Sequence, residues 1–81
     1  MTTYESRVSV AVRAEAASAA RAYNQRITID DLAAAMRTSR TRAADITAAM
    51  LETGLWVATG STGGTTQYGR PGGLDIIGRI T

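Results

Sequence analysis

Apolar and polar positions divide the chain into three helical stretches followed by a short β segment. Over residues 6–24, rich in alanine, Val8, Val12, Ala16, Ala19 and Tyr23 recur at spacings of three or four, which makes one apolar stripe on a helix. The stretch opens with Val8-Ser9-Val10-Ala11-Val12, which also alternates as a strand would, so its start fits either element. Arg7, Arg13 and Arg21 fall on its solvent side. Asn24-Gln25-Arg26 ends it, and Ile27-Thr28-Ile29 reads as a short edge strand.

A second helix is predicted from Thr28, whose hydroxyl can cap free backbone N–H groups, with Asp30 and Asp31 at its positive end. Leu32, Ala35 and Met36 form its buried stripe. A polar, basic turn follows, Arg37-Thr38-Ser39-Arg40-Thr41-Arg42. Periodicity resumes at Ala43, Ile46 and Met50, flanked by Ala49 and Leu51, and Gly54 stops this third helix in the left-handed conformation a helix end favours. Beyond it Leu55 and Val57 alternate with Trp56 and Ala58 as in a half-buried strand. Residues 59–65 carry turn chemistry and 66–70 read as the return strand, giving a hairpin with a flexible tip. Tyr68 is expected against the helices; Trp56 is either partly exposed or partly buried under the tail.

Residues 28–56 resemble the helix-turn-helix core of winged-helix DNA-binding domains. The resemblance rests on Asp31-Leu32-Ala33-Ala34 in the first helix, Ser39-Arg40-Thr41 entering the second, and Gly54-Leu55-Trp56 leading into a strand. It covers roughly Ile27 to Arg70. Two positions depart from the family pattern. Arg37 and Thr38 stand where a glycine and a small apolar residue are usual, and Thr47 stands where a leucine is frequent, with Ile46 available for that buried position.

The fold class implied is mainly α with a small β-hairpin: a winged helix-turn-helix of three helices and a two- or three-stranded wing. The whole chain is then one domain: residues 1–26 the N-terminal helix, 27–56 the helix-turn-helix, 55–70 the wing and 71–81 a tail. Its second motif helix, about Arg40 to Thr53, would enter the major groove of double-stranded DNA while the turn meets phosphates. Arg40 and Arg42 are the candidates for base edges, with Ala44, Asp45 and Thr47 further along the same face. Ser39, Thr41 and the free amides at the helix start suit phosphate, as does Arg37 on the turn. Thr62, Thr65, Gln67 and Arg70 are the candidate contacts of the wing, since no acid occurs between Glu52 and Asp75.

Composition narrows the function classes. At 81 residues a single core is near its lower size limit, and the absence of cysteine removes disulfides and thiolate metal sites. No apolar run approaches the ~18 residues of a membrane span, and no signal-peptide h-region is present, so a cytoplasmic protein, nucleoid-associated if it binds DNA, is expected with no membrane partner. The net charge of +2 permits nucleic-acid binding without demanding it. All nine basic residues are arginine, which suits phosphate and guanine edges and equally reflects a GC-rich coding source.

With no histidine and no cysteine, the commonest general base, nucleophiles and metal ligands are missing, and no enzyme activity or cofactor is expected. The glycine cluster is no phosphate-binding loop, because no lysine exists. Read as a complete small protein, the chain resembles phage and plasmid regulators such as repressors and excisionases. A homodimer through the N-terminal helix or the tail would supply two half-sites. The tail's Leu74, Ile76, Ile77 and Ile80 either pack back on the domain or pair with a second subunit. The competing expectation is a winged-helix module, such as a phage-encoded inhibitor or complex subunit, that binds protein and not DNA.

Overall fold

The computed structural model describes residues 8–72. Among them the chain forms three helices, α1 (Val10–Ala22), α2 (Ile29–Ala35) and α3 (Arg40–Glu52), then strands β1 (Val57–Thr62) and β2 (Thr65–Gly69). It is mainly helical with one antiparallel hairpin, a layout compatible with a winged helix. No helix among the described residues is long and apolar enough to cross a membrane.

Each helix starts on a hydroxyl three residues ahead of the amide it caps. Ser9 Oγ accepts from the Val12 N–H (3.2 Å), Thr28 Oγ1 from Asp31 (3.0 Å) and Ser39 Oγ from Arg42 (3.0 Å). At Thr28 the bond is reciprocated, since its own N–H donates to the Asp31 carboxylate (3.3 Å), completing a capping box.

All three helices also end alike. The N–H groups of Gln25, Thr38 and Leu55 donate back to the carbonyls of Ala20 (2.7 Å), Ala33 (2.9 Å) and Met50 (2.9 Å). The residue before each donates to Arg21, Ala34 and Leu51 respectively. That double closure needs a left-handed residue, supplied by Asn24 (φ 58°), Arg37 (φ 54°) and Gly54 (φ 79°). Arginine is the poorest of the three at this task, because its Cβ crowds the following carbonyl by about 1–2 kcal/mol. Glycine removes that strain but returns about 0.5–1 kcal/mol of unfolded-state entropy. Arg37→Gly should therefore raise unfolding stability by up to about 1 kcal/mol, read as a higher urea midpoint at unchanged slope; a lower midpoint would contradict this account of the turn.

Several expectations are corrected in detail. The start expected at Ser6 lies outside the described residues, and α1 begins at Val10, with Val8 buried just ahead of it and Val10 itself exposed. The strand-like alternation there gives way to the Ser9 cap. The buried stripe of α1 runs through Ala16 and Ala20, and Tyr23 is exposed. In α2, Ala35 is exposed, and Leu32 is buried with Ile29, Ala33 and Met36 packed beside it.

The core gathers Ile27, Leu32, Ile46, Met50 and Trp56 around the alanines Ala16, Ala20, Ala43 and Ala49. Alanine at these contacts lets helix axes approach closely, so a small set of large side chains fills the remaining space. Trp56 is only 2% exposed, whereas Leu55 and Val57 are 47% and 41% exposed. The alternation expected after Gly54 is therefore present with its faces exchanged. The Trp56 N–H donates to the Met50 carbonyl (3.0 Å), so the turn off α3 aims the indole inward.

β1 and β2 are joined by Gly63-Gly64 alone, with φ of 57° and 81°. Two successive positive φ values define a type I′ turn, which matches the twist of the strands. The flexible seven-residue tip expected from composition is thus a tight turn with paired strands on either side, Thr62 opposite Thr65. Thr59 is the extra residue of a bulge, since Ala58 pairs with Tyr68 and Gly60 with Gln67. The edge strand expected at residues 27–29 contracts to one bridge, in which Ile27 and Tyr68 exchange N–H···O=C bonds of 2.9 and 2.8 Å.

Candidate nucleic-acid interface

The N-terminal end of α3 lies beside the hairpin. Its first intrahelical bond runs from the Ala43 N–H to the Ser39 carbonyl (2.9 Å), and the Ser39 side chain takes the Arg42 amide. The Arg40 and Thr41 amides precede both and belong to the set a helix leaves for other acceptors. Ser39 keeps its hydroxyl proton for donation. Arg37, Ser39, Arg40 and Thr41 are exposed, and Arg42 and Ala44 are half-buried.

Residues two apart on a helix stand about 200° apart around its axis. Arg40 and Arg42 therefore flank α3 on opposite sides and do not share one face. The face turned outward between them carries Thr41, Ala44, Asp45 and Ala48, with Glu52 at its far end. Arg40 leans toward α2, where its Nε donates to the Asp30 carboxylate at 2.7 Å, both side chains being 70% exposed. An ion pair so open to water is weakly held and readily exchanged for a phosphate.

A shallow groove of about 220 Å³ joins this end of α3 to the hairpin, lined by Asp30 and Arg40 on one side and Gly64, Thr65, Thr66 and Tyr68 on the other. The structure thus brings Arg40 together with Thr65, and Thr62 lies directly across the ladder. Two predicted wing residues lie elsewhere. Gln67 alternates to the strand face opposite Thr66 and Tyr68, where its Oε1 covers Gly60. Arg70 sits at the base of the hairpin, in a separate groove shared with Arg13 and Arg21.

Thr47, expected on the contact face, is corrected outright. It is 3% exposed and its Oγ1 has no hydrogen-bond partner among the described residues. A residue facing the core cannot reach a ligand, and the apolar stripe of α3 is wide enough to take Ala43, Ile46, Thr47 and Met50 together. An orphaned buried hydroxyl costs about 1–3 kcal/mol. Thr47→Val should accordingly stabilise the fold by about 1 kcal/mol in thermal or urea unfolding; a loss of that size would mean the hydroxyl is satisfied.

Sequence reasoning missed the Asp30–Arg40 pair and the groove-lining Thr66 and Tyr68. The strand period of two could have found Thr66, since it shares a face with Tyr68; nothing in the sequence links Asp30 to a residue ten positions on. Compared with protein-family models, curated proteins and solved structures, the chain matches none of them.

Proposed function

We propose that this chain is a winged helix-turn-helix protein that binds double-stranded DNA, acting as a small transcriptional regulator or an architectural, excisionase-like factor. The observation that carries the reading is the groove in which Arg40, at the open start of α3, faces the uncharged hairpin residues Thr65 and Thr66. In this reading α3 enters the major groove by its N-terminal end. Arg40 and Arg42, on opposite flanks, each meet a phosphate, with Arg37 on the turn and the Arg40 and Thr41 amides supporting them. Thr41 and Ala44 face the bases, where an alanine methyl suits the thymine methyl. The tip residues Thr62 and Thr65 follow the backbone. A homodimer would present two such helices to two half-sites.

The test is fluorescence anisotropy of a labelled random duplex across a salt series, with Arg40→Ala/Arg42→Ala beside the wild type. Expected is non-specific binding around 10⁻⁴ to 10⁻⁶ M that weakens steeply with salt. In the double variant the log–log salt slope should be shallower by about 2, one for each phosphate that an arginine no longer neutralises. Absence of binding at low salt overturns the proposal.

A second reading, a winged-helix module that binds protein, is favoured by one observation. The outward face of α3 carries Asp45 and Glu52 as its only charges. In that case Ala44 and Ala48 meet a partner protein, and the salt series yields no duplex binding.

A further inference from the structure

A second groove, of about 560 Å³, runs along α1 and shares no lining residue with the one beside Arg40. Val10, Ala14 and Ala17 form one wall, and Arg21 continues the same helical stripe at spacings of three and four. The turn off α3 supplies the other side with Met50 and Trp56, both buried, and Leu55, which is 47% exposed. Val10 is 72% exposed, so each border of the groove holds a large aliphatic side chain open to water.

The free charge of the groove gathers at one end. The Gln25 N–H closes on the Ala20 carbonyl (2.7 Å), one residue from Arg21, and the Arg70 N–H donates to Gln25 Oε1 (2.7 Å). Arg21, Gln25 and Arg70 therefore meet at the C-terminal end of α1, and the apolar wall runs away from them to Val10. Among the described residues no hydrogen bond or ion pair engages the guanidinium of Arg21 or Arg70, and no acid lines the groove. Arg13 lines it too but has a partner of its own, so the charge the groove offers is that of Arg21 and Arg70. Gln25, with its Oε1 accepting, keeps its amide hydrogens for donation.

We propose that this groove binds an unbranched fatty acid, its carboxylate held by Arg21, Arg70 and the Gln25 amide and its chain laid along α1 toward Val10. The volume lies within the range of small-molecule sites. From Val10 to Arg21 the helix rises about 16 Å, and over that length 560 Å³ is a mean cross-section of about 35 Å². An α-helix with its side chains is about 10–12 Å across, or ~80–110 Å² in section. A helix from a partner protein or a second copy is too thick for the groove, and a single hydrocarbon chain is not. The charge selects the head: two guanidinium forks and an amide donor match a carboxylate, which accepts through both oxygens, and repel an ammonium. The site does not rest on DNA binding, and its test uses no DNA.

Trp56 is the single tryptophan of the chain and lines the groove, so its fluorescence reports occupancy. Titration with dodecanoate below its micellar range should give a saturable change with a Kd at or below about 1 mM. Decanoate, shorter by two methylenes, should bind about tenfold more weakly. Dodecyltrimethylammonium, with the same chain and the opposite charge, should also be weaker by about tenfold or more. Arg21→Gln/Arg70→Gln should weaken dodecanoate by about tenfold or more with the circular dichroism unchanged, since both side chains are exposed. Intermolecular NOEs should join the ligand's methylenes to Val10, Leu55 and Trp56. Absence of saturable binding, equal affinity for the cationic amphiphile, or undiminished affinity in the double variant overturns the proposal. NOEs that tie Val10 and Leu55 to a second protomer, or to a distant segment of the same chain, and persist with the ligand present give the groove another occupant and overturn it as well.

Discussion

Gly69→Ala should remove most of the stability of the fold. The φ of Gly69 is not positive, so the need here is for space and not for an unusual backbone shape. A Cβ at this position would lie 2.6 Å from both the Cα and the carbonyl carbon of Gln25 and closer still to its oxygen. The obstacle is backbone, which cannot swing aside as a side chain would. Nor is Gln25 free to retreat. It is itself left-handed (φ 62°), a costly conformation for a residue with a Cβ, and three hydrogen bonds hold it there. Its N–H donates to Ala20 (2.7 Å), its carbonyl accepts from Thr59 Oγ1 (2.6 Å), and its Oε1 accepts from the Arg70 N–H (2.7 Å). Adding one methyl group must break that cluster or detach the hairpin. We expect a loss of about 3 kcal/mol or more, against a total on the order of 5 kcal/mol for a chain of this size. Circular dichroism during urea titration measures it; a loss under about 1 kcal/mol would mean that β2 has room to move away from Gln25.

Leu32→Ala should come second, with a loss of about 2–5 kcal/mol. α2 has seven residues, far too few to be helical alone, and Leu32 is its one fully buried side chain. Ile29, Ala33 and Met36 pack at its sides but are only partly covered. Truncating Leu32 leaves a cavity in the middle of the core and releases the helix that presents Arg37 and positions Asp30 beside Arg40. Amide exchange across residues 29–38 should accelerate together with the drop in the urea midpoint. If those amides stay protected while the midpoint falls, α2 is held by its capping box and its closing turn more than by burial.

How much of the fold is legible in the residues alone depends on the range of the interaction. Thr28 and Gly54 are legible because capping and helix stopping are settled within a few residues of the chain, whereas Ser39, expected to meet phosphate, also caps α3 by accepting from the Arg42 N–H. Arg37 is legible as a turn residue, yet its left-handed conformation is not, since only the closure onto Ala33 and Ala34 requires it. Leu55 and Trp56 exchange faces because the face of a strand is set by the angle at which it leaves the preceding element, and a slip of one residue inverts every side chain. Thr47 is misplaced by its polarity, because three apolar neighbours on its stripe draw it inward all the same. Of the candidate contacts, Arg37, Ser39, Arg40 and Thr41 are exposed. Gln67 and Arg70 separate from them because alternation along β2 and the position of the hairpin base decide which way they face.

The attachment of the hairpin also fixes how it can move. The Thr59 hydroxyl, the Arg70 amide and the Tyr68 bridge all fasten to residues 25–27, at one end of the ladder, while nothing lies within 4 Å of where side chains would begin at Gly63 and Gly64. The hairpin is therefore a lever with its fulcrum at the α1–α2 junction. Six residues of strand extend about 20 Å, so a rotation of only ~10° at Gln25 carries the tip through about 3–4 Å, roughly the spacing of consecutive residues along a strand. A small adjustment where α1 ends is thereby amplified into a large change of reach at Thr62 and Thr65, with no rearrangement of the core.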